Sequence, residues 1–292
     1  MISTKILENY SKGLASTGKT RALYIRFVQD FLDYANGNFS REVIGKYMNH
    51  LRNQHNYSDG SVNLVFRVIR TMVSRSAKTL EEEGFVWPFR RGESPQIRED
   101  RIQAPALDPD TIGEAIVAVK EDGSPEEKAF LAISTTYGLR RVEMVQLDGQ
   151  DIRLKDKTIH IATAKHGRER THLIPEVIVP YLASYDFSQK RSDNFVFTLW
   201  YRIEHRINLP HIDQVGWHSI RRTLNTLLEP HVSRNTLNSF MRWKQRTSSD
   251  MSFRYSAIKF VGKRGETTKV VGDALTGDNQ VFEAHPFLEF WR

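Results

Sequence analysis

Apolar residues recur at helical spacing over most of this chain, and strict alternation is confined to one short stretch. In the first ninety residues, three apolar stripes follow helix-start signals near Thr20, Ser40 and Asp59. Such stripes usually form the core-facing side of amphipathic helices. Residues 1–90 are therefore predicted to form a small helical domain. The stripes consist of Ala22, Leu23, Phe27, Val28, Phe31 and Leu32; Val43, Ile44, Tyr47, Met48 and Leu51; and Val62, Val65, Phe66, Ile69, Met72 and Val73.

The alternating stretch lies between about residues 152 and 174, where three short runs are separated by polar turns. Helix signals stand on both sides of it, with Asp108-Pro109 and Ser124-Pro125 as caps followed by proline. The predicted fold class is mainly α with a small antiparallel β-sheet. The strand runs are 152–154, 158–161 and 170–174, and further helices are expected around Val142 and Met144 and over 219–228, 233–243 and 249–258.

A charged segment without periodicity, residues 91–106, contains two prolines and is interpreted as an interdomain linker. It separates the helical domain 1–90 from a second domain, 107–258. The remaining residues, 259–292, form a C-terminal tail with a predicted hairpin and a late apolar cluster. That cluster comprises Phe282, Phe287, Leu288, Phe290 and Trp291.

The net charge of +7 is concentrated near the start of the chain. Between Lys5 and Lys78 we count twelve basic and five acidic residues. A polyanionic partner is the functional interpretation, and a solvated basic surface without a partner is the alternative. The DNA-binding candidates in this region are Arg67, Arg70, Arg75 and Lys78.

Several classes of function are disfavoured by composition. The chain has no cysteine, which excludes disulfides, thiolate metal sites and cysteine nucleophiles. No apolar run approaches the ~20 residues of a membrane span, and the N-terminus lacks the apolar core of a secretory signal, so a cytoplasmic location is expected. The ten histidines show no paired metal-ligand spacing, and no carboxylate constellation stands out as a Mg²⁺ site. We expect neither a metal nor another cofactor.

Basic residues suited to a phosphate occur at ordered points of the second domain. Arg140 follows Gly138-Leu139 and precedes Glu143, while Lys165 is expected at the tip of the β-hairpin. Arginine binds phosphate oxygens through a planar, permanently charged fork. Taken singly, these residues are ordinary: a lone arginine at a helix start is usually a surface residue, and a lysine in a hairpin is usually a polar turn.

A second group of candidates follows near the end of this domain. His218 and Arg221 are three residues apart at a helix start, where both can face one phosphate. Tyr255 is the only one of the ten tyrosines that lies downstream of Arg221. A lone histidine here would more often cap a helix or pack in a core. The functional interpretation therefore depends on the order of all the candidate residues along the chain and not on any one of them.

In that order the residues resemble the tyrosine recombinase family, also called the phage integrase family. Gly138-Leu139-Arg140 with Glu143 is similar to the family's first arginine box, and His218 with Arg221 matches its H-x-x-R box. Lys165, Arg168 and Arg170 match the hairpin lysine box. The resemblance covers residues 107–258 as the catalytic domain, and the N-terminal domain resembles the family's core-binding domain in size, charge and position.

The resemblance implies an enzyme that cuts and rejoins DNA without metal or ATP. Tyr255 would attack the phosphodiester and form a 3′-phosphotyrosine, while Arg140 and Arg221 would bind the non-bridging oxygens. Lys165 would protonate the leaving 5′-oxygen, and His218 would accept or share the tyrosine proton. Glu143 would orient Arg140 or cap its helix.

One further position of the family pattern is displaced. The family's histidine or tryptophan usually lies nine residues before the tyrosine, where this chain has Arg246. Trp243 lies twelve residues before Tyr255 and is favoured, because Phe240-Met241 resembles the apolar pair preceding that site. Arg246 and Lys244 stay open as alternatives, as does a packing role for Trp243.

The function implied is a site-specific recombinase or integrase that acts as a homo-tetramer on duplex DNA, with no membrane or small-molecule partner. A type IB topoisomerase-like relaxing enzyme is the alternative within the same chemistry. A non-catalytic DNA-binding protein that retains the fold is the alternative outside it. The tail 259–292 is expected to dock on a neighbouring protomer, with packing on its own domain as the alternative.

Overall fold

The structure is a computed structural model that describes residues 2–15, 18–76, 88–89, 105–162, 169–243, 259–261, 267–269 and 274–292. The chain divides into two compact units, Met1–Ile102 and Gln103–Arg292. None of the helices in these ranges combines the length and apolarity needed to cross a membrane. The helix predicted over residues 249–258 lies outside the described residues.

Unit 1 is a helical bundle around one apolar core, and the three predicted helices are confirmed. Ser40 and Ser58 cap the third and fourth helices by accepting backbone N–H groups three residues later. The first helix was not predicted, because two buried residues, Ile6 and Tyr10, are too few to show a period. The helices are α1 (Ile2–Lys12), α2 (Gly18–Ala35), α3 (Arg41–Asn53) and α4 (Asp59–Arg75).

The basic residues of α4 lie on the side opposite its buried stripe. Arg67, Arg70 and Arg75 are all exposed, while the helix buries residues such as Val65 and Ile69. Arg75 also packs over the Tyr10 ring at 5.6 Å. Lys78, the fourth basic candidate of this region, lies outside the described residues.

Unit 2 is a larger helical assembly built around one buried helix, which we label α6. This helix is buried along nearly its whole length, from Ala129 to Tyr137, so the other helices pack on several of its sides. Its neighbours surround a single core, and the mainly α fold class is confirmed. The helices are α5 (Pro109–Asp122), α6 (Pro125–Tyr137), α7 (Arg141–Gln146), α8 (Val179–Ala183), α9 (Asp193–Arg206), α10 (Trp217–Leu228), α11 (Arg234–Phe240) and α12 (Ala274–Glu283).

The predicted small antiparallel sheet is also confirmed. Three strands pair in the order β1-β2-β3, and Ile159 of β2 stands opposite His172 of β3. Two further strands pair antiparallel in the C-terminal tail, where the sequence predicts a hairpin. The strands are β1 (Ile152–Arg153), β2 (Thr158–Ile161), β3 (Arg170–Leu173), β4 (Lys259–Val261) and β5 (Thr267–Lys269).

Two helix boundaries differ from the prediction. The helix expected from Ser219 begins at Trp217, whose indole N–H is buried and donates to the Val196 carbonyl at 2.8 Å. The helix expected to reach Trp243 ends at Phe240, because Arg242 adopts a left-handed conformation with φ of 57°. This early end turns residues 241–243 back toward α6.

Residues 277–292 pack on their own unit. Trp291, 1% exposed, inserts into the core and its indole N–H donates to Thr135 at 3.0 Å. His285 contacts the Thr136 carbonyl at 3.0 Å, and Phe287 is buried beside it. The segment thus completes its own domain's core in the single chain. Docking of the tail on a neighbouring protomer stays a prediction.

Candidate active site

The candidate site forms where the turn after α6 meets α10. Gly138 occupies this turn with φ of 56°, a left-handed conformation that favours glycine. A Cβ here would lie 3.3 Å from both Arg221 Cγ and Met241 Sδ, so a larger residue would push these neighbours away. The Gly138 carbonyl accepts a hydrogen bond from Arg221 Nη1. The turn thereby brings two distant parts of the sequence together.

Arg140 stands at the N-terminal boundary of α7 and is held by Glu143. Its Nη1 donates to Glu143 Oε1 at 2.6 Å, and its backbone N–H donates to Oε2 at 2.9 Å. The arginine side chain keeps 25% of its surface exposed, whereas the carboxylate is fully buried. Glu143 therefore orients Arg140 and caps the helix at once, two roles that the sequence analysis gave as alternatives.

Arg221 lies behind this turn on α10 and is only 2% exposed. Its two terminal nitrogens donate to the carbonyls of Gly138 and Met241, which fixes the plane of the guanidinium. Burial, with the nearby charges of Arg242 and Arg140, lowers the pKa of Arg221 to about 9, against the opposing charge of Glu143. Arg140 and Arg242 both donate to the Glu143 carboxylate beside Arg221, so the three guanidinium groups form one cluster.

Trp243 contacts the same cluster. The Arg221 guanidinium carbon lies 5.6 Å from the centroid of the Trp243 ring, within range of a cation–π contact. The ring is half-buried and also packs against the main core of unit 2. Trp243 is thus both a core-edge aromatic and a neighbour of Arg221. Lys244 and Arg246, the alternatives for this position, lie outside the described residues.

Arg242 belongs to the cluster and was missed by the sequence analysis. It is 1% exposed and donates to Glu143 Oε2 at 3.1 Å, to the Tyr137 carbonyl at 3.2 Å and to the Phe240 carbonyl at 3.0 Å. One feature of the sequence could have indicated it. Arg242 lies inside the apolar run from Phe240 to Trp243, and an arginine that is buried with such neighbours needs a charged or polar partner.

The cluster carries a surplus of positive charge. Among the described residues, the guanidinium groups of Arg140, Arg221 and Arg242 face the single carboxylate of Glu143. Burial raises the pKa of Glu143, but the charge of Arg242, the Arg140 N–H and the charges of Arg221 and Arg140 outweigh burial and lower it. With Glu143 ionised, the cluster retains two positive charges and is suited to an anion.

The remaining predicted site residues are placed only in part. His218 is exposed at the start of α10, one turn before Arg221. Lys165, Arg168 and Tyr255 lie outside the described residues. Within the part of the chain that the structure describes, no group of three or more histidine, aspartate or glutamate side chains could hold a metal ion.

Three solved structures share this fold over most of the chain. A lambda integrase fragment, solved as a dimer bound to a COC′ core site, matches with a TM-score of 0.64 at 14% identity, covering 86% of this chain and 94% of that one. The Tn1549 transposon integrase with transposon right end DNA matches with a TM-score of 0.61 at 12% identity, covering 84% and 92%. A lambda integrase tetramer bound to a Holliday junction gives 0.60 at 14%, covering 86% and 76%.

The fold is therefore that of the integrases. Residues 106–253, about half of the chain, match the family model described as the phage integrase family. The chain belongs to the phage integrase family, whose members are also called tyrosine recombinases. No curated protein matches the sequence.

Proposed function

We propose that this protein is a site-specific DNA recombinase or integrase that cleaves and rejoins duplex DNA through Tyr255. The observation that carries the proposal is the cluster of Arg140, Arg221 and Arg242 around one ionised carboxylate. Family membership supplies the class of reaction, and the cluster supplies a place for the phosphate.

The proposed cleavage step exchanges one phosphoester for another. The Tyr255 oxygen bonds to the scissile phosphorus, the bond from phosphorus to the 5′-oxygen breaks, and the DNA is left as a 3′-phosphotyrosine. Lys165 gives a proton to the leaving 5′-oxygen, and His218 takes the tyrosine proton. Attack by a 5′-hydroxyl on the phosphotyrosine reverses these steps and rejoins the strand. The linkage keeps the energy of the phosphoester, so no ATP is needed.

The charge of the cluster fits the transition state of this step. A phosphodiester carries one negative charge, and attack by a phenolate raises the total to two in the pentacoordinate arrangement. The two surplus positive charges of the cluster match that value. Preorganised cations aimed at developing charge contribute strongly to catalysis, with about 10²–10³-fold in rate lost for each donor removed. We therefore assign Arg140 and Arg221 to the non-bridging oxygens and Trp243 to the packing that holds Arg221. Since guanidinium groups supply this charge, the proposed reaction uses no metal.

We further propose that the protein works as a homo-tetramer on paired DNA sites. The lambda integrase neighbour was solved as a tetramer on a Holliday junction, and its fold is shared by this chain. Arg67, Arg70 and Arg75 on the exposed side of α4, with Lys78 and Arg168, would contact backbone phosphates. Such contacts position the protein without reading sequence.

A pool of nicked duplexes with random sequence tests the proposal. Cleavage near a nick releases a short fragment, so rejoining fails and a covalent complex accumulates that survives denaturation in detergent. We expect wild-type protein to enrich a subset of sequences in such complexes, and Tyr255→Phe to give none. Tyr201→Phe, which changes an exposed tyrosine on α9, is the matched control and should react like wild type.

Other outcomes would point to the alternatives. Adducts without sequence enrichment, together with relaxation of supercoiled DNA by monomers, would favour a type IB topoisomerase-like enzyme. Sequence-selective binding with no adduct would favour a non-catalytic DNA-binding protein. An undiminished adduct in Tyr255→Phe would contradict the proposed nucleophile.

A further inference from the structure

A line of buried polar groups leads from the C-terminal helix toward the candidate site. It begins at Asp278 of α12, which is fully buried. Its carboxylate accepts hydrogen bonds from Arg170 Nη2 at 2.6 Å, from the Leu173 backbone N–H at 2.9 Å and from His172 Nδ1 at 3.2 Å. Strand β3 is thereby attached to α12 at three points. We call Asp278, His172, Arg242 and Glu143 the buried polar chain.

The direction of the hydrogen bonds through His172 follows from the chemistry of arginine. Arg242 Nη1 lies 3.3 Å from His172 Nε2, and a guanidinium can only donate. His172 Nε2 must therefore accept, so the imidazole is neutral and carries its proton on Nδ1, which faces Asp278. Burial lowers the pKa of His172 to about 4, in agreement with a neutral ring. Asp278 fixes the tautomer that presents an acceptor to Arg242.

Arg242 is the link between this line and the phosphate-binding arginines. Its backbone has the left-handed φ of 57° that ends α11 and turns the side chain into the interior. One terminal nitrogen contacts His172 and the Phe240 carbonyl, and the other donates to the Tyr137 carbonyl and to Glu143 Oε2. Both terminal nitrogens of the guanidinium are thus held by hydrogen bonds.

We propose that Arg242 is a positioning residue for strand cleavage, which holds Glu143 so that Arg140 and Arg221 keep their phosphate-binding arrangement. The inference rests on the proposed function and goes beyond it by assigning a residue that has no box in the sequence pattern. His172 and Asp278 complete the assignment by fixing the orientation of Arg242.

Stability alone gives little reason for such a group. Replacing a buried ion pair by apolar side chains of similar volume is often neutral or stabilising. Here the added cation also stands near Arg140 and Arg221, since its charge lowers the pKa of Arg221. Like charges in one cluster oppose folding in the free protein. The same positive charges become favourable when a DNA phosphate binds in the cluster, because the phosphate carries two negative charges in the transition state of cleavage.

The test compares two substrates in single-turnover cleavage. One is the nicked duplex selected with wild-type protein, and the other carries an uncharged methylphosphonate at the scissile position. For Arg242→Met we expect a loss of about 10²-fold on the phosphodiester and of less than about tenfold on the methylphosphonate, because the neutral group needs less positive charge. Arg242→Lys should recover part of the phosphodiester rate. An equal loss on both substrates, or no loss on either, overturns the proposal.

Arg206→Met is the matched control. Arg206 donates to the buried carboxylate of Glu127 at 3.0 Å, so its removal also takes one arginine away from a buried carboxylate. We expect reduced stability and wild-type rates on both substrates. If Arg206→Met shows the same preference for the methylphosphonate as Arg242→Met, the preference reports general destabilisation and the proposal fails.

A double variant covers the case in which Arg242→Met does not fold. Glu143→Gln with Arg242→Met removes both charges of the fully buried pair, and Arg140, whose side chain is 25% exposed, can turn to water. Phosphodiester cleavage by the double variant should stay about 10²-fold below wild type, and a wild-type rate would overturn the proposal. Absence of any adduct from wild-type protein would instead sink the proposed function, which separates the two failures.

Discussion

Glu127 and Glu143 make the same hydrogen bond at the start of two helices of unit 2, with different consequences. Each is the third residue of its helix, and each carboxylate accepts the N–H of the residue that precedes the helix, at 2.8 Å and 2.9 Å. Each also pairs with an arginine from a distant helix or turn: Arg206 at 3.0 Å for Glu127 and Arg242 at 3.1 Å for Glu143. Both are nearly inaccessible to solvent.

The difference lies in the residue before each helix. At α6 it is Ser124, whose hydroxyl accepts the Glu127 N–H at 3.4 Å and completes a reciprocal capping box. At α7 it is Arg140, whose side chain has no hydrogen-bond acceptor and instead donates to Glu143. At α6 the serine and the glutamate together stabilise the start of the helix. At α7 the arginine in the capping position is the residue that we propose for phosphate binding.

The largest effect is expected from replacing the residue that precedes α7. Arg140→Ser gives α7 the same serine and glutamate pair as α6, so we expect the free energy of unfolding to stay within about 1 kcal/mol of wild type. Cleavage should fall by about 10³-fold, because a cation at the phosphate is lost. Chemical denaturation and single-turnover adduct formation measure the two effects.

Retention of cleavage in Arg140→Ser would remove Arg140 from the phosphate site. Arg141→Ser is the control at the next position, where the side chain pairs with Asp193 at 3.0 Å on the surface. It should leave cleavage close to wild type.

Neutralising each carboxylate in turn should affect stability and cleavage differently in the two regions. Glu143→Gln leaves the fully buried Arg242 with no ionised partner, so we expect a loss of about 3–5 kcal/mol in stability and about 10²-fold in cleavage. Glu127→Gln should cost about 1–3 kcal/mol, because the Arg206 side chain is 28% exposed and can turn to water. Its cleavage rate should not change. Equal effects of the two variants on cleavage would contradict the separate roles.

Acid should affect the region around Glu143 through a buried histidine. The folded-state pKa of His172, lowered by burial to about 4 from 6.5, means that the unfolded chain binds a proton first as the pH falls. Stability therefore decreases between about pH 6.5 and pH 4, by about 2 kcal/mol from this residue at pH 5. His172→Gln should remove that part of the decrease in urea denaturation. The exposed His231→Gln should retain it, and equal slopes for the two variants would contradict the neutral His172.

The smallest effect is expected at the other cap. Ser124→Ala removes the hydroxyl that accepts the Glu127 N–H and should reduce stability by about 1 kcal/mol. Cleavage should not change, since α6 uses its cap for the helix alone. A clear loss of cleavage in this variant would show that both caps serve the site.

Those parts of the fold and of the site that depend on local sequence pattern can be predicted from the sequence. Helix caps such as Ser40 and Ser124, the short strands, and the glycine turn before Arg140 all follow from neighbouring residues. Arg242 and Asp278 were missed because their partners are about a hundred residues away in the chain. The left-handed backbone conformation of Arg242 also leaves no mark in the periodic pattern of apolar residues.

The most direct test of the central claim is to identify the residue that bears the DNA. Wild-type protein trapped on its selected nicked duplex is digested with protease, and the DNA-linked peptide is sequenced by mass spectrometry. We expect a phosphodiester link from the DNA 3′-end to the oxygen of Tyr255, in the segment that follows Trp243. A link to any other residue, or DNA released at its 3′-end without a linked peptide, would contradict it.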